Sequence, residues 1–407
     1  MEKCTGAKIL HRILDMGELM LSTGAEIKRV ENTVIRLGKA FGAERVDVFA
    51  ITSSIVVTMT FPEEKEITQT RRIEKPAGTN LNKLEQLNAL SRACCEKKMS
   101  LEELEAGMER IKSKDVSRWY IYTGSVISAA AFSVFFGGTI WDGAAAGVFA
   151  LFICFCQNHL DHLCPNKVIF NLLCSLVSGI GIYVLTAAIP ALQADKIIIG
   201  DIMLLIPGIA MTNAVKDMLV GDTIAGTMRF LESLLWAGAL AGGFMASMWI
   251  TGSAMSETQT MGGIWVMAVQ ILTAFAGSVG FCMLFKLRAG LVIPASVGGL
   301  LCWSIYLACV HQLEGIFLPS FIASAFAAMY AEILARKLKA PATLFLIPAV
   351  VPLVPGGGLY YTISYAVQGD LVMSGMYGTQ TAQFVLGIAC GMCIIWALFT
   401  TIRPRVN

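Results

Sequence analysis

The segment LLIPGIAMTNAVKDMLVGD, Leu204 to Asp222, places Asn213, Lys216 and Asp217 at positions i, i+3 and i+4, shortly after Pro207-Gly208. Residues so spaced share one face of a helix. On an otherwise apolar helix they form a stripe carrying an amide, an ammonium and a carboxylate. Such a stripe can line a polar path, bind a small charged solute, or pass a proton. The plainer reading is a Lys216 and Asp217 pair at the cytoplasmic end of a span, reaching toward headgroups.

A second segment, PLVPGGGLYYTISYAVQGD, Pro352 to Asp370, repeats the first at a shift of 148 residues: Pro207 falls on Pro355, Gly208 on Gly356, Gly221 on Gly369 and Asp222 on Asp370. Proline lacks an amide hydrogen and glycine is flexible, so Pro207-Gly208 and Pro355-Gly356-Gly357-Gly358 should each interrupt a helix. The half-helix after each break begins with unpaired N–H groups and a positive dipole end, which suits a carboxylate. The candidate binding residues are therefore Pro207, Gly208, Thr212, Asn213, Lys216, Asp217, Pro355, Gly356, Gly357, Gly358, Tyr360 and Tyr361. Arg229 and Glu232 follow at i, i+3 and could pair with each other or with Asp217 and Lys216. Asp217, Glu232 and Glu332 are the candidates for proton coupling; Asp201 and Asp370 rank below them as residues expected near span boundaries.

The elements that hold these residues can be read from composition. Hydrophobic residues make up 56% of the 407 and charged ones 15%, a balance that excludes an ordinary soluble protein. A formal charge of +2 gives no reason to expect a nucleic-acid partner. Of the 60 charged residues 37 precede Arg118, which implies two differently built parts. Apolar segments of spanning length follow at 118–136, 139–156, 168–188, 197–219, 223–250, 264–285, 289–309, 316–335, 342–367 and 381–402. Ten transmembrane helices are thus expected, and the shift of 148 carries the first five onto the last five. Five is odd, so the second set enters from the opposite face, giving a 5+5 inverted repeat. The expected boundaries are 1–117 for a small α+β cytoplasmic domain, 118–255 for the first membrane repeat and 256–407 for the second.

Basic residues fix the orientation. With the charged domain inside, the inner side receives Arg118, Lys167, Lys286, Arg288, Arg336, Lys337, Lys339, Arg403 and Arg405, and Lys196 is the one basic residue expected in an outer loop. Both termini would be cytoplasmic. The first residues show no long apolar run with a cleavage site, so insertion would be directed by the later spans. Within 1–117, two amphipathic helices, two β-rich runs around Ser53-Ser54, a strand in EKEITQTRRIEK and two charged helices at 80–98 and 100–114 are expected, the last opened by a Ser-Leu-Glu-Glu capping box.

Several apparent motifs carry no chemistry. The 12 cysteines are scattered and read as small apolar fillers, without a disulfide framework. CFCQNHLDHLC, Cys154 to Cys164, lacks the paired spacing of a zinc site, and CGMC, Cys390 to Cys393, lies inside a span. There is no Walker loop, and no cofactor or metal is expected. Gly143 and Gly147, Gly238 and Gly242, and Gly387 and Gly391 have GxxxG spacing and should permit close helix packing.

STGAEIKRVENTVIRLGKAFG, followed by VDVFAITSSIVVTM and five spans with the IPG break, resembles the first module of the bacterial threonine/serine exporter family. The remainder, with IPASVGGLL and LVPGGG, resembles its second module, a separate subunit in some relatives. The resemblance implies secondary export of threonine or serine across the inner membrane, driven by protons; its split relatives are associated with succinate. Glu26, Arg29 and Glu31, in the family's N-terminal motif, read as structural ion pairs on a solvated helix or as contacts to the membrane domain, the first being the plainer reading. The expected partners are a small carboxylate-bearing metabolite, protons and the lipid bilayer, with homo-oligomer formation left open. A membrane-anchored sensor or enzyme is the other class, but ten spans with a duplicated break far exceed an anchor.

Overall fold

The computed structural model describes residues 6–62, 66–73, 79–97, 99–160, 164, 166–205, 208–252 and 263–401. The chain divides into two compact units, Met1–Ser117 with Phe285–Arg288, and Arg118–Leu284 with Ala289–Asn407.

In the first unit, α1 (Gly6–Ser22) and α2 (Ile27–Ala40) precede strands β1 (Arg45–Ile51), β2 (Ser54–Thr60) and β3 (Ile67–Arg72), and α3 (Leu81–Lys97) and α4 (Leu101–Ser113) follow. The strands form an antiparallel sheet in the order β1-β2-β3, with Ile51 opposite Ser54 across a two-residue turn. Alternation turns Ile55, Val57 and Met59 of β2 inward, where α1 and α2 cover the sheet. Glu31 on α2 accepts a hydrogen bond from the Ala50 amide at 3.1 Å, and Arg71 on β3 donates to Asp15 on α1 at 2.6 Å. Helix and sheet are thus tied by charge-assisted bonds as well as by packing. The capping box is formed as expected: Ser100 Oγ accepts from the Glu103 amide at 3.2 Å, and Glu103 Oε2 from the Ser100 amide at 2.9 Å. After α4, a hydrogen bond from Lys83 at 2.7 Å holds the Asp115 carboxyl below its usual range.

The second unit is helical: α5 (Arg118–Phe135), α6 (Ile140–His159), α7 (Lys167–Ala188), α8 (Ala194–Leu205), α9 (Gly208–Leu219), α10 (Thr223–Thr251), α11 (Ile264–Leu284), α12 (Ala289–Val310), α13 (Phe317–Leu338), α14 (Thr343–Val350), a 3-10 turn Val351–Leu353, α15 (Gly356–Val367) and α16 (Leu371–Thr401). Among the described residues seven helices are long and apolar enough to cross a membrane, or nine if α8 with α9 and α14 with α15 each count as one bent span. The chain is a multi-pass membrane protein. Helix α5 falls outside that set because Arg118, Trp119, Tyr120, Tyr122 and Thr123 fill its first turns. The last helix begins at Leu371, ten residues before its expected start, because Asp370 caps it by accepting from the Met373 amide at 3.0 Å.

Helix limits recur at the shift seen in the sequence. Gly208–Leu219 moved by 148 falls on Gly356–Val367, and Thr223 falls on Leu371. The repeated Gly-Asp pair has a structural cause. Gly221 and Gly369 end α9 and α15 at φ 102° and 82°, a region costly for other residues, and the next amides, of Asp222 and Asp370, bond to the carbonyls of Asp217 and Tyr365 at 2.9 and 3.0 Å. Packing recurs as well: α5 meets α6 and α11 meets α12, α7 meets α10 and α13 meets α16, while α9 lies on α16 and α15 on α10.

Two expectations need correction. Lys196 is not in a loop but in the first turn of α8, 3% exposed and 3.3 Å from Asp195, a partner that lets it be buried. Of the glycine pairs, Gly238 and Gly242 meet nothing within 4 Å, whereas a Cβ on Gly243 would lie 2.5 Å from the Leu172 carbonyl and 2.0 Å from Ser175 Oγ. The α7–α10 approach is therefore one residue out of the GxxxG register. The other two pairs do pack, Gly143 and Gly147 on α5 and Gly387 and Gly391 on α13.

Gly243→Ala should lower the melting temperature of the purified protein, since overpacking costs about 1–3 kcal/mol. Its neighbour Gly242→Ala should leave it unchanged or slightly raised through helix propensity. Thermal unfolding of both variants in detergent checks the pair.

Candidate functional site

The candidate site is built where the two spans break. The axes of α8 and α9 are bent by 52°, and those of α14 with its 3-10 turn and α15 by 47°. Pro207 lies outside the described residues; Gly208 opens α9. At the second break, Pro352 sits in the 3-10 turn and Pro355 immediately precedes α15. Backbone groups freed there are re-bonded locally: Ser278 Oγ donates to the Pro348 carbonyl at 3.0 Å, the Val354 amide to Val351 at 3.1 Å, and the Gly356 amide to Val354 at 2.8 Å. This is how irregular backbone survives away from water.

The half-helices after the breaks come together. Met211 and Val215 of α9, Leu359 of α15, Ala237 of α10, and Val385 and Ala389 of α16 form one buried cluster. Around it, Thr212, Lys216 and Asp217 are buried and Asn213 half-buried, so the polar stripe faces protein rather than lipid. Asp217 accepts a hydrogen bond from Arg229 Nη1 on α10 at 3.0 Å. Of the pairings that the spacing left open, the structure forms Arg229 with Asp217. Cys393, the last residue of CGMC, donates its thiol to the Lys216 carbonyl at 3.9 Å, binding α16 to α9.

On the other half-helix, Gly356 and Gly357 are buried and Gly358 is half-buried. A Cβ on Gly358 would stand 2.7 Å from Thr381 Oγ1, so α16 can pass only because that position is bare. Tyr360 packs edge-on against Phe244 of α10. Tyr361 lies 5.0 Å from Tyr377, which stacks on Tyr365 at 5.6 Å. Tyr360 and Tyr361 share a buried cluster with Ile197, Ile198, Ile199 and Ile202 of α8. The segments α8, α9 and α15 thus share one neighbourhood, while α14 packs against α11, α12 and α13.

Glu232 is half-buried on α10, one turn beyond Arg229. Glu332 is half-buried on α13, whose neighbours are α12, α14 and α16, apart from the cluster around α9. Asp370 is exposed and serves as the α16 cap. Three acidic residues gain importance over what spacing suggested. Asp142, fully buried, accepts from Thr139 at the start of α6 and from the Gln193 amide at 2.7 Å; the Thr-x-x-Asp spacing of a capping box was its signal. Asp195 pairs with Lys196. Asp201, in the middle of α8, is 0% exposed. Among the described residues, no group of His, Cys, Asp and Glu is arranged to hold a metal.

Residues 11–251 match the family described as "Putative threonine/serine exporter", and residues 270–398 match "Threonine/Serine exporter, ThrE". The chain belongs to the threonine/serine exporter family. Its two modules, separable in principle, are here one polypeptide. It is 29% identical over 239 residues to the "Probable succinate transporter subunit YjjP" of Klebsiella aerogenes, covering 56% of this chain and 90% of that one. The Escherichia coli protein of the same name is 26% identical over 242 residues, covering 57% and 91%. No solved structure matches.

Removing Arg229 takes a charged donor from the part-buried Asp217 carboxylate, at a cost of about 1–3 kcal/mol. Arg229→Met should therefore lower the melting temperature, while Arg229→Met combined with Asp217→Asn should recover most of the loss. A double-mutant cycle by thermal unfolding in detergent measures this coupling.

Proposed function

We propose that this exporter-family protein carries small amino acids, threonine and serine, out of the cell across the bacterial inner membrane in exchange for protons. The observation that carries this reading is the meeting of α9 and α15, the half-helices after two matched breaks, in one buried cluster lined by Thr212, Lys216, Asp217 and Arg229. The start of α15 offers amide N–H groups to a substrate carboxylate, with Lys216 adding positive charge. Asp217, Glu232 and the carbonyls at the breaks are acceptors for its ammonium, and Asp217 and Glu232 serve proton coupling; Glu332 is the weaker third.

Ten spans, counting α5, form two five-span repeats, 118–255 and 256–407, inverted with respect to each other. The supports are the recurring helix limits and packing partners. Alternating access follows from rocking of one repeat against the other. Residues 1–117 and both termini lie in the cytoplasm, the side to which the positive-inside rule assigns the basic loop residues.

A second reading, export of a dicarboxylate, is favoured by one observation: both relatives named above are described as succinate transporter subunits. Lys216 and Arg229 would then hold the second carboxylate.

In proteoliposomes with an imposed pH gradient, labelled threonine and serine should be taken up, and Asp217→Asn and Glu232→Gln should each slow uptake at least about tenfold, roughly 1.4 kcal/mol of barrier. Uptake of labelled succinate without threonine or serine would reverse the substrate assignment. Unchanged rates in both variants would remove these carboxyls from the mechanism.

A further inference from the structure

Asp201 stands in the middle of α8, the half-helix before the first break, within the run IIIGDIMLL. It is 0% exposed, and neither carboxyl oxygen has a hydrogen-bond partner among the described residues. Few buried side chains cost more: an ionised carboxylate without donors loses its hydration and gains nothing in return.

Its surroundings are apolar. Leu205, one turn further along the same face, belongs to a buried cluster with Ile153, Cys156, Phe170, Cys174 and Leu240. Asp201 lies within electrostatic reach of the Cys174 thiol on α7. Ser178, one turn from Cys174 on that face, is also buried with an unpartnered hydroxyl. On its other side α8 is pressed onto α5: a Cβ at Gly200 would stand 2.6 Å from the Ala129 carbonyl.

Helix α8 packs against α5, α6, α7, α10 and α15. The titratable and charged groups these bring are Arg118, Tyr120 and Tyr122 on α5, Asp142, Cys154, Cys156 and His159 on α6, Lys167, Cys174 and Tyr183 on α7, Arg229 and Glu232 on α10, and Tyr360, Tyr361 and Tyr365 on α15; Asp195 and Lys196 lie on α8 itself. Of the cations, Lys196 is engaged by Asp195 and Arg229 by Asp217, Lys167 lies over the Trp236 ring at 5.3 Å, and Arg118 is exposed in the first turn of α5. Asp142 is satisfied by Thr139 and Gln193. Among the described residues Asp201 is left without a counter-ion.

We infer that Asp201 is a proton-binding site of the transport cycle: it holds a proton as the neutral acid in this conformation and releases it when α8 moves relative to α9 at the break. This rests on the proposed exporter function. The neutral acid is the form that an apolar pocket tolerates, and the axes of α8 and α9 already differ by 52°, so the carboxyl lies on a segment that is not one continuous helix with α9. Binding and release are a single proton transfer between water and Oδ, with no other reactant.

The test uses the full-length protein in proteoliposomes with labelled threonine, serine and succinate. Wild type should both exchange substrate across the membrane at equal pH and concentrate it under a pH gradient. Asp201→Asn, which imitates the neutral acid, should keep exchange within about twofold and lose gradient-driven accumulation at least tenfold; Asp201→Glu should restore part of it. The infrared band of a protonated carboxylic acid, present in wild type, should weaken in Asp201→Asn, a readout that stands even if the variant transports poorly. Accumulation at the wild-type level in Asp201→Asn, or an unchanged infrared band, overturns the assignment of the proton. If wild type neither exchanges nor accumulates any of the three solutes, the exporter reading fails instead.

Discussion

A polar group deprived of water and given no partner costs several kcal/mol, and the membrane unit is organised by that penalty. Its helices satisfy their own amides, and at several described helix ends the structure supplies a substitute. Ser278 closes on the Pro348 carbonyl, and the amides following Gly221 and Gly369 turn back to the last turns of α9 and α15. Charges obey the same demand: Asp217 has Arg229, Lys196 has Asp195, and Asp142 has three donors. Of the two membrane-unit carboxyls that lack a hydrogen-bond partner among the described residues, Asp195 has the Lys196 ammonium beside it and Asp201 has no cation, which makes Asp201 informative in itself.

Much of this was legible in the sequence because it depends on local rules. The Ser100 capping box, the strands around Ser53-Ser54 and the break at Pro355 are short-range signals, and each appears at its expected place. The shift of 148 residues was legible because two copies of the same rules leave the same marks. Asn213, Lys216 and Asp217 could be placed on one face by spacing alone, and that face is the one directed into protein.

What escaped the sequence depends on rotation and partners. Hydropathy locates a span but does not say which way a given side chain turns or where its helix starts, so the full burial of Asp201 and the helical place of Lys196 were not foreseen. Gly242 and Gly243 are neighbours, and only the crossing with α7 decides which is obliged to be bare. Glu332 is acidic and within a helix, as Glu232 is, yet α13 places it elsewhere. Helix α5 reads as a span by length while its opening residues are those of an interface.

The crossed packing of the two halves has a further consequence. Leu359 of the second module is enclosed by Met211, Val215 and Ala237 of the first, and Val385 and Ala389 close the same cluster from α16. Neither module buries that surface from its own residues. When the two are made as separate chains, any excess of one leaves an apolar face unmatched, and supply must be balanced by the cell. A single polypeptide removes that requirement by delivering the modules in a fixed ratio of one to one.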